Sequence, residues 1–132
     1  MYTFHLEDEF TDITLNLRQR ITLIGGDSGQ GKSLLAAKIR SIQERQLISD
    51  VLVVDSRELL QTMSYTQCKL IIIDRMEQYT HDDEVWQAML QTQDKFFIIY
   101  PRGICKIPFT PESLADIVVT KTDDKLCFSL RY

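Results

Sequence analysis

No apolar run in this 132-residue chain approaches the roughly 20 residues needed to cross a bilayer, which excludes a membrane-spanning helix. The N-terminus is acidic early, in Met1-Tyr2-Thr3-Phe4-His5-Leu6-Glu7-Asp8-Glu9, unlike a secretory signal. Basic runs are also missing. The 15 Lys and Arg are scattered against 19 Asp and Glu, giving a net charge of −4. That balance argues against a general nucleic-acid-binding surface, which is usually basic. Cysteine is scarce and odd in number: Cys68, Cys105 and Cys127 lie far apart without metal-site spacing. They read as reduced cytoplasmic thiols used for packing. His5 and His81 lack metal-ligand spacing too, and read as surface or capping residues. Repeats, low-complexity tracts and linkers are absent, so one domain over 1–132 is expected.

What is present is a phosphate-loop pattern. Gly26-Asp27-Ser28-Gly29-Gln30-Gly31-Lys32-Ser33 fits G-x-x-x-x-G-K-[ST] at every fixed position. A polyphosphate needs many hydrogen-bond donors at close range, and glycine lets successive backbone N–H groups approach it. A helix beginning near Lys32 adds the positive end of its dipole. In this pattern Lys32 reaches the β/γ-phosphates and the Ser33 hydroxyl ligates Mg²⁺. Asp27, Ser28, Gly29, Gln30, Gly31 and Leu34 complete the expected nucleotide contacts. The flanks agree with the required strand–loop–helix setting. Arg20-Ile21-Thr22-Leu23-Ile24-Gly25 is β-prone, and Leu35, Ile39 and Ile42 recur at helical spacing.

Further elements follow from periodicity. Tyr2 to Leu6 and Ile13 to Leu17 read as strands, the second alternating as a half-buried strand does. Val51 to Asp55, Lys69 to Asp74 and Phe96 to Tyr100 are continuous apolar runs of the buried parallel type. Helices are expected after Ser56, from Asp82 to Thr92 behind a Thr80/Asp83 capping box, and briefly after Thr110-Pro111. Asp116 to Thr120, a turn at Thr122-Asp123-Asp124, and Leu126 to Leu130 close the chain. Alternating strands and helices predict an α/β fold with three layers and a mainly parallel central sheet, plus N-terminal antiparallel strands and a C-terminal hairpin. Ligands of such sheets bind at the carboxyl ends of the strands, where Ser33, Asp55, Asp74 and Tyr100 are expected.

Asp74 carries the second signal. Four apolar residues followed by Asp form a Walker B pattern, whose carboxylate holds the Mg²⁺ water shell. The order of elements resembles the additional-strand class of P-loop NTPases, which places another strand between the loop strand and the Walker B strand. In its first third the chain is most similar to ABC-type nucleotide-binding domains. There a strand like Asp12-Ile13-Thr14-Leu15-Asn16-Leu17 precedes a strand like Ile21 to Ile24 and then G-x-S-G-x-G-K-S. The resemblance implies the P-loop NTPase fold, ATP with Mg²⁺, and an adenine-stacking aromatic on the N-terminal strands, for which Phe4 lies near the family spacing, with Tyr2 and Phe10 as neighbours.

The departures from that family are specific. No Leu-Ser-Gly-Gly-Gln signature occurs, Arg75 stands where the family has its water-activating Glu, and Tyr100-Pro101-Arg102 replaces the switch histidine. Glu77 is the nearest acidic substitute and, with Lys32, makes up the expected catalytic set. ATP binding with slow or partner-dependent hydrolysis is therefore expected, completed by a protein partner or a homodimer, with Arg75 and Arg102 as candidate arginine fingers. A non-catalytic module whose nucleotide state controls docking is the main alternative. A GTPase is a further one, because Thr120-Lys121-Thr122-Asp123 resembles a guanine-reading motif, although Asp74-Arg75-Met76-Glu77 lacks the companion glycine. A small-molecule kinase with Arg102 and Lys106 in a lid is the third.

Overall fold

The computed structural model describes residues 2–24, 30–46, 50–54, 67–73, 94–100 and 114–132, with 30–33 and 46 described by backbone alone. Two strands open the chain: β1 (Tyr2–Glu7) and β2 (Thr11–Leu17), paired antiparallel from Tyr2–Leu17 to Glu7–Asp12. Period-two alternation sends Phe4, Leu6, Ile13, Leu15 and Leu17 into the core. His5, Glu7 and Asp12 go to the opposite face. The turn between the strands is held by Asp8. Its Oδ1 accepts the Phe10 amide at 2.9 Å, while the Asp8 amide donates to the Thr11 carbonyl at 2.9 Å.

Strand β3 (Ile21–Ile24) leads to helix α1 (Gln30–Gln46). Good helix formers run from Leu34 to Lys38, and Leu35, Ile39 and Ile42 recur at i, i+4 and i+7. All three are fully buried. At roughly 1.5–3 kcal/mol for each such side chain, this stripe is worth more than the helix's intrinsic propensity. Three short parallel-type strands follow, β4 (Val51–Val54), β5 (Leu70–Ile73) and β6 (Phe96–Ile99). The four residues of β5 are buried on both faces.

The chain ends in a hairpin of β7 (Leu114–Thr122) and β8 (Lys125–Arg131). Its two-residue loop has Asp123 and Asp124 at φ of 48° and 64°, the left-handed pair that a type I′ turn demands. The segment Thr120-Lys121-Thr122-Asp123 is thus the end of a strand and its turn, an arrangement that needs no guanine base to explain it.

All eight strands join one sheet in the order β1-β2-β8-β7-β3-β6-β5-β4. The expected three-layer α/β fold with a mainly parallel sheet is not what forms. Among the described residues there is a single helix beside eight strands, and the sheet is mixed and curled into a half-barrel. The longest ladders are the antiparallel ones, β1 with β2 over six residue pairs and β7 with β8 over seven. The reason lies in β7. Leu114 and Ala115 pair parallel with Leu23 and Ile24, while Asp116 to Thr122 pair antiparallel with β8. One β-branched strand therefore splices the antiparallel segments into the parallel ones, and its twist curls the whole. The curl carries the Tyr2 ring of edge strand β1 onto Phe96 of β6, with centroids 5.0 Å apart, and Lys69 lies over the same Tyr2 ring. Helix α1 fills the concave side, sharing one core with residues of every strand. The helices expected after Ser56, at 82–92 and after Thr110 lie outside the described residues. No helix among the described residues is long and apolar enough to cross a membrane.

Arg45 in the last turn of α1 pairs with Asp8, tying the helix to the β1–β2 turn. Burial pushes the Asp8 carboxyl up, but the Phe10 amide, the Arg45 guanidinium and the Thr11 amide outweigh it and hold the carboxyl below its ordinary value. A depressed carboxyl stabilises the fold above the unfolded-state pKa and loses that contribution as pH falls through the folded one. Asp8→Asn keeps an acceptor for Phe10 and removes the charge. Urea denaturation should show it less stable than the parent by about 1 kcal/mol at pH 7. The gap should narrow below about pH 4; a gap constant across that range would contradict the charge assignment.

Candidate functional site

Register aligns the carboxyl ends of the parallel strands. Leu23 pairs with Ile99, Ile99 with Ile73, and Ile73 with Val54, so four strands end in one row. The Tyr100 amide donates to the Ile73 carbonyl at 3.1 Å and extends the row by one step. From this edge the chain continues into 25–29, 55–66, 74–93 and 101–113. Asp55, Asp74, Arg75, Glu77, Arg102 and Lys106 lie there, outside the described residues, as do Asp27, Ser28 and Gly29 of the loop. Tyr100 is described, and its ring is fully buried in the core.

The second half of the phosphate-loop pattern has a definite backbone. Helix α1 starts at Gln30, so Gln30, Gly31, Lys32 and Ser33 form its first turn, six residues after β3 ends at Ile24. The first four N–H groups of a helix have no partner within it, and they carry the positive end of the dipole. No acidic residue occupies that first turn, and the cationic Arg45 sits at the opposite end. The backbone charge at the start of α1 is therefore left unopposed by any carboxylate of its own turn, which favours an anion there. Leu34, next in line, is partly buried and packs against the core. Its side chain belongs to the fold, which leaves its backbone N–H as what it can offer a ligand.

The aromatic residues separate by burial. Phe4 is 3% exposed and lies in the core, because β1 turns its even-numbered residues inward. Its ring is not offered to an adenine. Tyr2 is held by the Phe96 stack. Phe10, in the β1–β2 turn, is 60% exposed.

One cluster escapes sequence spacing altogether. His5, Glu7 and Asp12 bring a nitrogen and two carboxylate oxygens to within 4.8 Å of one another on the outer face of the β1–β2 hairpin. The only advance signal is the antiparallel register about the Asp8 turn, which sets Glu7 opposite Asp12 and His5 two residues along the same face. No protein-family model matches this chain, and no match is found among the curated proteins or the solved structures.

Strand β3 also carries a buried Thr22, whose hydroxyl has no hydrogen-bond partner among the described residues. A hydroxyl buried without a partner costs about 1–3 kcal/mol, whereas its removal with shape retained relieves that cost. Thr22→Val should therefore raise the unfolding free energy by about 1 kcal/mol in urea denaturation. A loss of stability would show that the hydroxyl is paired in solution.

Proposed function

We propose that this protein binds Mg-ATP through Gly26 to Ser33, with Lys32 on the β/γ-phosphates and Ser33 and Asp74 holding the metal. The observation that carries this reading is the placement of Gln30-Gly31-Lys32-Ser33 as the first turn of a helix that follows a buried parallel strand. Strand order adds support, since β6 lies between β3 and β5, the strand that runs into Asp74. The additional-strand P-loop NTPases that the sequence resembles carry such an intervening strand. Alignment of the carboxyl ends of β3, β6, β5 and β4 in one row supports it further, because ligands of parallel strands bind at that edge.

Hydrolysis by the isolated chain is slow in this reading, well below the usual range of about 1–1000 per second. Arg75 occupies the position from which a Glu would activate water, and Glu77 is the nearest carboxylate in sequence. A protein partner or a second copy of the chain supplies what the site lacks, in a cytoplasmic setting that keeps the three thiols reduced. The same Arg75 favours a second reading, a nucleotide-controlled docking module without turnover. Phosphate release by the pure protein separates the two, with Glu77→Gln as control: slow release abolished by the variant marks an ATPase, and none marks a module.

Titration calorimetry tests the binding itself. Lys32→Ala should weaken Mg-ATP at least tenfold, equivalent to about 1.4 kcal/mol. Asp74→Asn should weaken binding only when Mg²⁺ is present. Equal affinity for parent and Lys32→Ala would overturn the assignment.

A further inference from the structure

The outer face of the β1–β2 hairpin is distant in role from the phosphate loop, and its residues serve neither the core nor the nucleotide reading. We propose that His5, Glu7 and Asp12 form a binding site for a divalent transition metal of the zinc type. Three donors of the right kind converge there: an imidazole nitrogen and two carboxylates, with all three ligand atoms within 4.8 Å of one another. The imidazole selects zinc-like ions over Mg²⁺ or Ca²⁺, which prefer all-oxygen sites.

The spacing of the His5–Asp12 pair also fits. Zinc holds nitrogen and oxygen ligands at about 2.0–2.2 Å, so two ligands of a tetrahedral ion stand about 3.4 Å apart. His5 Nε2 and Asp12 Oδ1 are 3.5 Å apart. That is beyond the usual range of about 2.7–3.2 Å for a hydrogen bond and close to the edge of a zinc tetrahedron. The Thr14 hydroxyl donates to the same Asp12 Oδ1 at 3.0 Å and orients the carboxylate. Strand pairing fixes the backbones of all three ligands, which leaves side-chain ordering as the remaining entropic cost of binding. The exposed setting leaves the other coordination positions to water.

A cation already competes for this place. Lys125 at the start of β8 sets its Nζ 3.1 Å from Glu7 Oε2. Metal binding at Glu7 must work against that ammonium through charge repulsion, which gives the proposal a directional test. Cys127 lies beside Asp12 in the β2–β8 register and is a control for zinc capture by a thiol.

The experiment is calorimetric titration of the full, tag-free chain with zinc chloride in the absence of nucleotide, with circular dichroism to verify folding of each variant. One zinc per chain is expected. His5→Ala and Asp12→Asn should each weaken binding at least tenfold, Lys125→Met should tighten it severalfold, and Cys127→Ser should leave it unchanged. Because His5 and Glu7 are exposed and Asp12 is half-buried, these substitutions spare the core. No saturable uptake by the parent, undiminished binding by His5→Ala, or loss of binding in Cys127→Ser would each overturn the assignment. None of these results bears on the Mg-ATP reading, whose residues are untouched.

Discussion

The stripe Leu35, Ala36, Ile39 and Ile42, pressed into the hollow of a curled sheet, is the contact on which the rest of the molecule depends. A curled sheet has a concave side that must be filled, and a helix of 17 residues has one apolar face that must be covered. Each solves the other's problem. The same core takes Phe4 and Leu6 from one edge of the sheet and Val51 and Val53 from the other. The helix stripe belongs to the same core as both edges. Replacing the fully buried Ile39 by a small residue would open a cavity in that core, and such losses cost about 2–5 kcal/mol.

Holding α1 in this way also fixes its first turn. Its N-terminal N–H groups gain nothing from mobility; a site for polyphosphate works best when donors are set before the ligand arrives. The stripe sets the axis of the helix, the Asp8–Arg45 pair holds its far end, and the Gln43 amide donates to the Val51 carbonyl at the start of β4. Gln30 to Ser33, the described end of the loop pattern, thus form the first turn of an anchored helix. In the proposed Mg-ATP reading, Arg75 and the absence of a signature segment separate binding, which the helix start alone can serve, from turnover, which needs further groups.

Much of the local structure was legible in the residues. Apolar continuity marked β4, β5 and β6, and alternation marked β2, because burial on two faces or one leaves those patterns directly in the sequence. The α1 stripe was equally clear. The curl was not, since it depends on β7 pairing parallel with one neighbour and antiparallel with the other, and nothing local encodes a strand's two partners. Reading the N-terminal strands and C-terminal hairpin as additions to a parallel sheet missed that they carry its longest ladders. Phe4 illustrates a related point: family spacing locates an aromatic along the chain but not on a face, and the pleat of β1 turns this one inward. His5, Glu7 and Asp12 were invisible as a group because their proximity comes from cross-strand register rather than from a linear motif.

The most direct measurement is a crystal structure with a non-hydrolysable Mg-ATP analogue. Mg-ATP binding at the phosphate loop predicts β- and γ-phosphate density over the first turn of α1, contacted by the Lys32 ammonium. It also predicts a metal ion between the Ser33 hydroxyl and Asp74, at the carboxyl edge shared by β3 and β5. Analogue density at any other place, or an empty helix N-terminus at saturating analogue, would contradict it.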